Sequence, residues 1–395
     1  MVLINRFERR FSLKLAFWYV LAKIKFIHPI LPKKLRNLLP TGWNFHMFWT
    51  AFKSGGTRIY NDYYCKLKES ISYKPKVSVA PEFQFSEEDI KFFYNNGYIG
   101  PFDLISSEEA KNLRDHLVNS VVNIPSKIWE YEFQQETGLA AELFPDSEDT
   151  NELTEEYKQY ILSQVNKTDR HIDDPKLLNL FQQPSIVERS AQLLGPDIIL
   201  WRSDCFEVPP HAKGTPWHQS SHWLLHNMRE SVANPLDREE LFQITCWIAL
   251  TDANREKGCM TLIPGTHKEI YPLKLNRKAS DVNTTYRYDK GEIDYPIDQA
   301  SHKLIEVKAG QFFLFSERVI HGAIPNKTDS SRWAVNCRIA KASTRFFSKK
   351  MFEEGHQITY HKVKNVSLDK WKAILLRGTD RFGYNPLLEQ SIGDG

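Results

Sequence analysis

Apolar and polar positions divide the chain into an aromatic beginning, a helical stretch and a long strand-rich remainder. The aromatic stretch Trp43 to Tyr64 runs into Ile71 to Pro81, a proline-marked connector without helical periodicity. Ser86-Glu87-Glu88-Asp89 then opens a segment whose apolar positions (Ile90, Phe93, Tyr94) recur at helical spacing and stop at Asn96-Gly97. Ser106-Ser107-Glu108-Glu109 opens another through Leu113 and Leu117. These spacings predict two capped helices flanking a short strand, Tyr98 to Phe102. From Asp197 the texture becomes short β-rich runs: Ile198 to Trp201, Cys205 to Val208, Phe242 to Leu250, Leu304 to Val307, Gln311 to Phe315 and Ala334 to Ile339. Turn residues such as Pro209-Pro210, Pro264-Gly265 and Ala309-Gly310 separate them. Helices first and many short strands after predict a mainly β fold with flanking helices, a jelly-roll sandwich or barrel. Three regions follow: a helical N-terminal extension over 1–85, a strand-rich domain over 86–345, and a C-terminal tail over 346–395 that packs on the core.

Composition narrows the class. Apolar residues at 41% and charged ones at 26% are ordinary globular usage, which excludes wholesale disorder and a multi-span membrane protein. Cys65, Cys205, Cys246, Cys259 and Cys337 form no CxxC or zinc-ligand spacing, so they read as small hydrophobes on core strands of a protein in a reducing cytosol. The net charge of +3 hides an uneven distribution, because residues 1–40 hold nine basic residues against Glu8 alone. The apolar run Leu15 to Ala22 is far shorter than the about 20 residues a membrane span needs. The preferred reading of this start is a helix capping the strand-rich domain with its basic face solvated; a peripheral membrane contact through residues 1–40 is the alternative. Nucleic-acid binding is not expected, since the remainder is acidic and lacks a recognition motif. The acidic run between Ala141 and Tyr157, interrupted by Pro145, reads as a solvated loop.

Candidate chemistry lies in three histidine-bearing segments at strand ends: Trp217-His218-Gln219-Ser220-Ser221-His222-Trp223, Pro264-Gly265-Thr266-His267-Lys268-Glu269, and Val319-Ile320-His321-Gly322. Arg332 follows His321 by eleven residues. An oxygen-activating iron(II) site needs protein ligands on one face and open positions opposite. A guanidinium nearby suits the remote carboxylate of 2-oxoglutarate, because it pairs bidentately and keeps its charge.

The stretch Pro196 to Ser203 through Trp217-His218-Gln219, the block Thr245 to Asp252 with Gly258-Cys259-Met260 and Pro264 to His267, and the block Ala309-Gly310-Gln311 to His321, Asn326 and Arg332 resemble the phytanoyl-CoA dioxygenase family. Its branch of iron/2-oxoglutarate halogenases looks most similar. The resemblance spans roughly residues 86 to 340. It implies a double-stranded β-helix (jelly-roll, cupin-like) core, Fe(II) held by His218 and His321, 2-oxoglutarate and O2 as co-substrates, and Arg332 as carboxylate anchor. Where ordinary members carry His-x-Asp, this chain has His218-Gln219-Ser220. In the halogenases that position is a small residue and a halide occupies the vacated coordination place, so Ser220 implies chlorination of an unactivated carbon, with chloride as a further ligand. Serine is not the usual Ala or Gly. A hydroxylase of the same family and a catalytically silent jelly-roll binding protein are therefore the alternatives. The substrate class expected is a small molecule, acyl group or carrier-tethered group.

Other residues compete for these roles. His267-Lys268-Glu269 satisfies a His-x-Glu pattern but sits on a Pro-Gly turn. His222 would reach the site only if its segment were helical or looped, since four extended residues span about 13 Å. Arg338 is the fallback anchor for 2-oxoglutarate. Gln243 and Thr245 share one strand face and are candidates to hydrogen-bond 2-oxoglutarate. Trp217 and Trp223 are candidates for the substrate pocket or the core, and Asn326 reads as a turn residue first.

Overall fold

A computed structural model describes residues 6–36, 39–130, 132–133, 159, 162–163, 165–224, 229–275, 291–356, 363–364 and 366–389. The acidic stretch 141–157 lies outside them. Both capping boxes form as the spacing predicts. Ser86 and Asp89 close the start of the helix Glu87–Asn96, and Ser106 and Glu109 that of Ser107–Ser120. Gly97 ends the first helix at φ 84°, and a Cβ there would lie 2.7 Å from the His267 ring, so both turn and packing require glycine.

Seventeen strands are described. They are β1 (Arg58–Ile59), β2 (Tyr98–Asp103), β3 (Glu132–Phe133), β4 (Ile198–Val208), β5 (Thr215–His218), β6 (Ala233–Asn234), β7 (Gln243–Ala249), β8 (Met260–Ile263) and β9 (Leu273–Leu275). Then follow β10 (Gly291–Ile293), β11 (Lys303–Ile305), β12 (Gln311–Phe315), β13 (Ile320–Ala323), β14 (Arg332–Lys341), β15 (Arg345–Phe346), β16 (Val363–Lys364) and β17 (Ile374–Arg377). Two antiparallel sheets position the site: six strands in the order β17-β4-β14-β7-β12-β2, and four in the order β11-β8-β13-β5.

Two-residue alternation sorts the larger sheet's side chains. Ile244, Cys246, Ile248, Phe312, Leu314, Val335 and Cys337 pack with Phe93, Leu117, Leu177 and Leu194 of the covering helices. Trp247, Ala249, Phe313, Phe315 and Ala334 face the other way, onto Met260, Leu262 and Ile305 of the smaller sheet. All five cysteines are buried and free.

One reading needs correction. The runs Ile198 to Trp201 and Cys205 to Val208 are a single eleven-residue strand, β4. The polar residues Arg202, Ser203 and Asp204 look like a break in the sequence. They are instead laddered to Arg338, Cys337 and Asn336 of β14 and continue the strand. At the C-terminal end, β17 extends the larger sheet at its β4 edge, and Phe346, Phe347, Met351, Leu368 and Trp371 form part of a buried cluster with Trp201 and Trp223.

The connector at 71–81 separates parts of the chain that are packed together. The helix Arg6–Lys23 buries Phe11, Leu15 and Tyr19 with Met47, Ala51, Ile59 and Tyr60, and with Leu224 and Ile270 of the strand-rich part. β1 pairs with β9. Asp62 is buried and accepts backbone N–H groups from Tyr63 (2.6 Å), His222 (3.1 Å), Leu224 (3.3 Å) and Ser221. Arg318, also buried, donates to the backbone oxygens of His267 (2.8 Å) and Cys65 (2.9 Å) and to Ser221 Oγ (2.8 Å). No described helix is long and apolar enough to cross a membrane.

Asp62→Ala strands several buried N–H donors and leaves Arg318 without its nearby carboxylate, so a loss of about 3 kcal/mol is expected. Asp62→Asn, which keeps one acceptor oxygen, should lose less. Urea unfolding of both variants checks this, and unchanged midpoints would contradict it.

Candidate active site

His218 closes β5, and His321 lies opposite it in register on β13. Gly322 permits this approach, because a Cβ there would lie 2.6 Å from Thr215 O. The two imidazole centroids are 4.0 Å apart. Each Nδ1 is hydrogen-bonded to the carbonyl two residues earlier, His218 to Pro216 O and His321 to Val319 O, both at 2.8 Å. With Nδ1–H donating, each Nε2 carries the lone pair in the neutral tautomer, the state that binds metal. Burial, and to a lesser degree Arg338, holds His218 down to about 4. His321 is pushed well below its ordinary value by burial first and by His218 second. Phe315 meets the His321 ring edge-on at 5.1 Å.

Ser220 is buried and donates its N–H to Glu317 O at 2.9 Å. Among the described residues no third His, Cys, Asp or Glu joins the pair as a metal-ligand group. Gln219 is a strut: its Nε2 donates to Arg318 O (2.6 Å) and Glu269 O (3.0 Å), and its Oε1 accepts from Tyr271 N–H (2.9 Å). The donor set, two neutral imidazoles and no carboxylate, fits a two-histidine iron site.

Both arginine candidates stand on β14 at two-residue spacing with Ala334 and Asn336, on the face turned toward the smaller sheet. Arg338 is committed. Its Nε donates to Glu317 Oε1 at 2.7 Å, its Nη1 pairs with Asp204, and its guanidinium lies 4.7 Å from the centre of the Trp223 ring. Arg332 is 3% exposed, donates from Nε to Gly258 O at 3.3 Å and stacks over Trp247 at 5.2 Å. Gln243 donates to Ser221 O (2.9 Å) and accepts from Trp201 Nε1 (3.2 Å), which accounts for its burial within the protein. Thr245 is buried opposite Arg338 in register.

The two tryptophans part company. Trp217 is half-buried, 4.9 Å from the His302 ring, and packs on the Ile263 and Ile320 cluster. Trp223 is buried at φ 55° between Trp201 and Arg338. His222 is buried against Phe242, with Nδ1 at 2.9 Å from Ser221 Oγ, on the loop that Asp62 holds. His267 binds Tyr94 O (3.0 Å) and Glu269 accepts from Tyr64 Oη (2.8 Å), so the His-x-Glu pattern ties helix and N-terminal segment together. Asn326 donates to Val208, Pro209 and Ser330 carbonyls, a turn residue as read.

Sequence reasoning missed the polar groups around Arg338. Besides Glu317 and Asp204 there is a cluster about Arg202, whose Nε lies 3.7 Å from Asp169 Oδ2. Arg202 Nε and Nη2, Asp169 Oδ2, His171 Nε2, Trp223 Nε1 and both His356 ring nitrogens are buried without a hydrogen-bond partner among the described residues. These unmet donors and acceptors gather about Arg202, whose guanidinium lies over Trp201 and Trp223, and form a buried polar cluster. The signal was available in part: Arg202, Asp204, Glu317 and Arg318 are charges set between apolar strand residues, where a charge needs a partner.

A mainly β core with two neutral imidazoles opposed across one ladder defines a candidate metal-dependent active site. Residues 93–334 match the phytanoyl-CoA dioxygenase family, and the chain belongs to that family. Peroxisomal phytanoyl-CoA dioxygenase of Bos taurus is 24% identical over 268 residues, covering 66% of this chain and 70% of that one. Dioxygenase lolE1 of Epichloe uncinata is 26% identical over 259 residues, covering 65% and 83%. The solved structure of CytC3 with Fe(II) and alpha-ketoglutarate is similar in fold, with a TM-score of 0.51 at 22% identity over 78% of this chain and 93% of that one.

The buried histidines set an acid limit. His171 and His356 are held at about 3 and His267 at about 4, chiefly by burial, and His218, His222 and His321 are also depressed. Below the unfolded value of about 6.5 the unfolded chain binds protons that the fold refuses, so each histidine withdraws up to about 1.4 kcal/mol per pH unit until its folded value is reached. Asp62, Asp169 (about 7) and Glu317 are raised by burial and act with the opposite sign. Six groups oppose three, so the urea midpoint should fall between pH 7 and pH 5; a rise would contradict the assignment of these histidines as neutral.

Proposed function

We propose that this chain is an iron(II)- and 2-oxoglutarate-dependent enzyme acting on an unactivated C–H bond, with a double-stranded β-helix core, and that its reaction is halogenation. The observation that carries the reading is the opposed pair His218 and His321, with Ser220 two residues after His218 where ordinary family members carry the aspartate. His218 and His321 hold iron through Nε2, while their Nδ1 bonds to backbone fix both rings. Arg332 pairs with the remote carboxylate of 2-oxoglutarate, since Arg338 is already engaged by Glu317 and Asp204. Thr245 is a further contact for that co-substrate, with Gln243 holding the Ser221 backbone behind it. Iron with 2-oxoglutarate and O2 would supply the oxidising power. Iron held by His218 and His321 would have a place open for chloride, because Ser220 is too short to replace a carboxylate ligand. Phe315 and Trp247 keep this region dry. A small-molecule, acyl or carrier-tethered substrate would enter beside Trp217, half-buried next to His218. The names of the relatives, dioxygenases, favour hydroxylation as the second reading.

Anaerobic titration with iron and 2-oxoglutarate, followed by the charge-transfer band, separates the two. Under halogenation chloride shifts the band, Ser220→Ala keeps that response, and Ser220→Asp suppresses it. A wild-type spectrum indifferent to chloride leaves hydroxylation. His218→Ala and His321→Ala should each abolish iron binding, whereas Glu269→Gln should not; iron retained in either alanine variant would refute the metal assignment.

The arginines give a second test. Arg332→Gln should weaken 2-oxoglutarate about a hundredfold at unchanged iron affinity. Arg338→Gln should instead destabilise the fold by about 3 kcal/mol or more, because the buried Glu317 and the partly buried Asp204 lose their cation. Weakened 2-oxoglutarate binding in a stably folded Arg338→Gln protein, with Arg332→Gln unaffected, would reverse the assignment.

A further inference from the structure

The helix Arg6–Lys23 has two apolar faces. One, through Phe11, Leu15 and Tyr19, is buried in the fold. At 100° per residue Leu13, Phe17 and Val20 fall within about 60° of one another on the opposite face. They are 71%, 58% and 57% exposed. The turn that follows, Lys25–Ile30, adds Phe26 at 83% and Ile30 at 81%. Monomeric proteins seldom leave so many large apolar side chains together in water. Exposed cations rim them: Arg9, Arg10 and Lys14 on the helix, and Lys25 beside Phe26. From Arg9 to Asn61 the chain contains no Asp or Glu, and the next acid, Asp62, is buried beneath the loop it caps.

We propose that this face docks on an anionic lipid bilayer, with Leu13, Phe17, Val20, Phe26 and Ile30 in the acyl boundary and the arginines and lysines among the headgroups. An apolar strip between cations matches such a surface, where apolar burial and charge attraction add. A nucleic acid would use the cations and leave the strip in water. A second copy would use the strip but bring two basic rims face to face across a two-fold interface. The capping role expected for this helix therefore accounts for one of its faces only. Because the outer face carries none of the groups placed around His218 and His321, docking holds or fails independently of the reaction proposed there.

Co-sedimentation of the full chain with phosphatidylcholine vesicles, with and without phosphatidylglycerol, tests this. Binding is expected with phosphatidylglycerol, at least about tenfold weaker without it, and reduced by salt. F17Q/F26Q should lose at least about tenfold in affinity, since each buried aromatic side chain carries that much. Replacing Arg9, Arg10 and Lys14 by Gln should remove the preference for phosphatidylglycerol. All variants keep iron and 2-oxoglutarate binding, because the substituted side chains lie on the outer face. Absence of wild-type binding, unchanged binding of F17Q/F26Q, or dimerisation in vesicle-free sedimentation that this double variant abolishes would overturn the proposal.

Discussion

The rest of the structure depends on a carboxylate that has been taken out of water. At His218 the chain leaves its ladder, and the N–H groups of the following loop need acceptors in the interior. Asp62 supplies them to Ser221, His222 and Leu224. Burial pushes its carboxyl up, while those N–H groups and Arg318 pull it back. Arg318 in turn gathers Cys65, His267 and Ser221. One buried pair thus fixes the exit of β5, the turn after β8 and a segment more than 150 residues earlier in sequence, as the separation of 160 between Asp62 and His222 records. The N-terminal segment holds the loop that follows His218 and the arginine that precedes His321.

A second set of buried charges lies near the opposed histidines, since Arg338 acts on both His218 and His321. Arg338, Glu317 and Asp204 form a network that an apolar core of equal volume would surpass in stability. Local rules of burial are broken most often where a protein must act. The network holds the Arg338 guanidinium against Trp223 and keeps a positive charge near two imidazoles, which helps to hold them neutral.

Legibility followed the range of the interactions involved. Capping boxes at Ser86 and Ser106 and the alternation of Gln243 to Ala249 are local, and they stand where the spacing puts them. The apposition of His218 and His321 was legible through the motifs around each residue. His267, set aside for its Pro-Gly turn, is bonded to Tyr94 O. What failed was long-range. Arg202, Ser203 and Asp204 read as a break because their ladder partners lie more than 130 residues away, as the separation of 132 between Asp204 and Asn336 shows. The stacking of Arg338 on Trp223 and the commitment of Gln243 to Trp201 depend on which strands become neighbours, and no local pattern states that.

The five free cysteines have a chemical consequence for a protein in this family. Burial raises Cys205 to about 12 and Cys259 to about 11, and raises Cys65 and Cys246 as well. Thiolate is the form that alkylating reagents and peroxides attack, so these sulfurs are withheld from both while the chain is folded. Oxidants would meet buried sulfurs, four of which burial holds further from ionisation than a free thiol. Thiol labelling would therefore count unfolding events, and a single cysteine placed on the surface would be the one site that reacts.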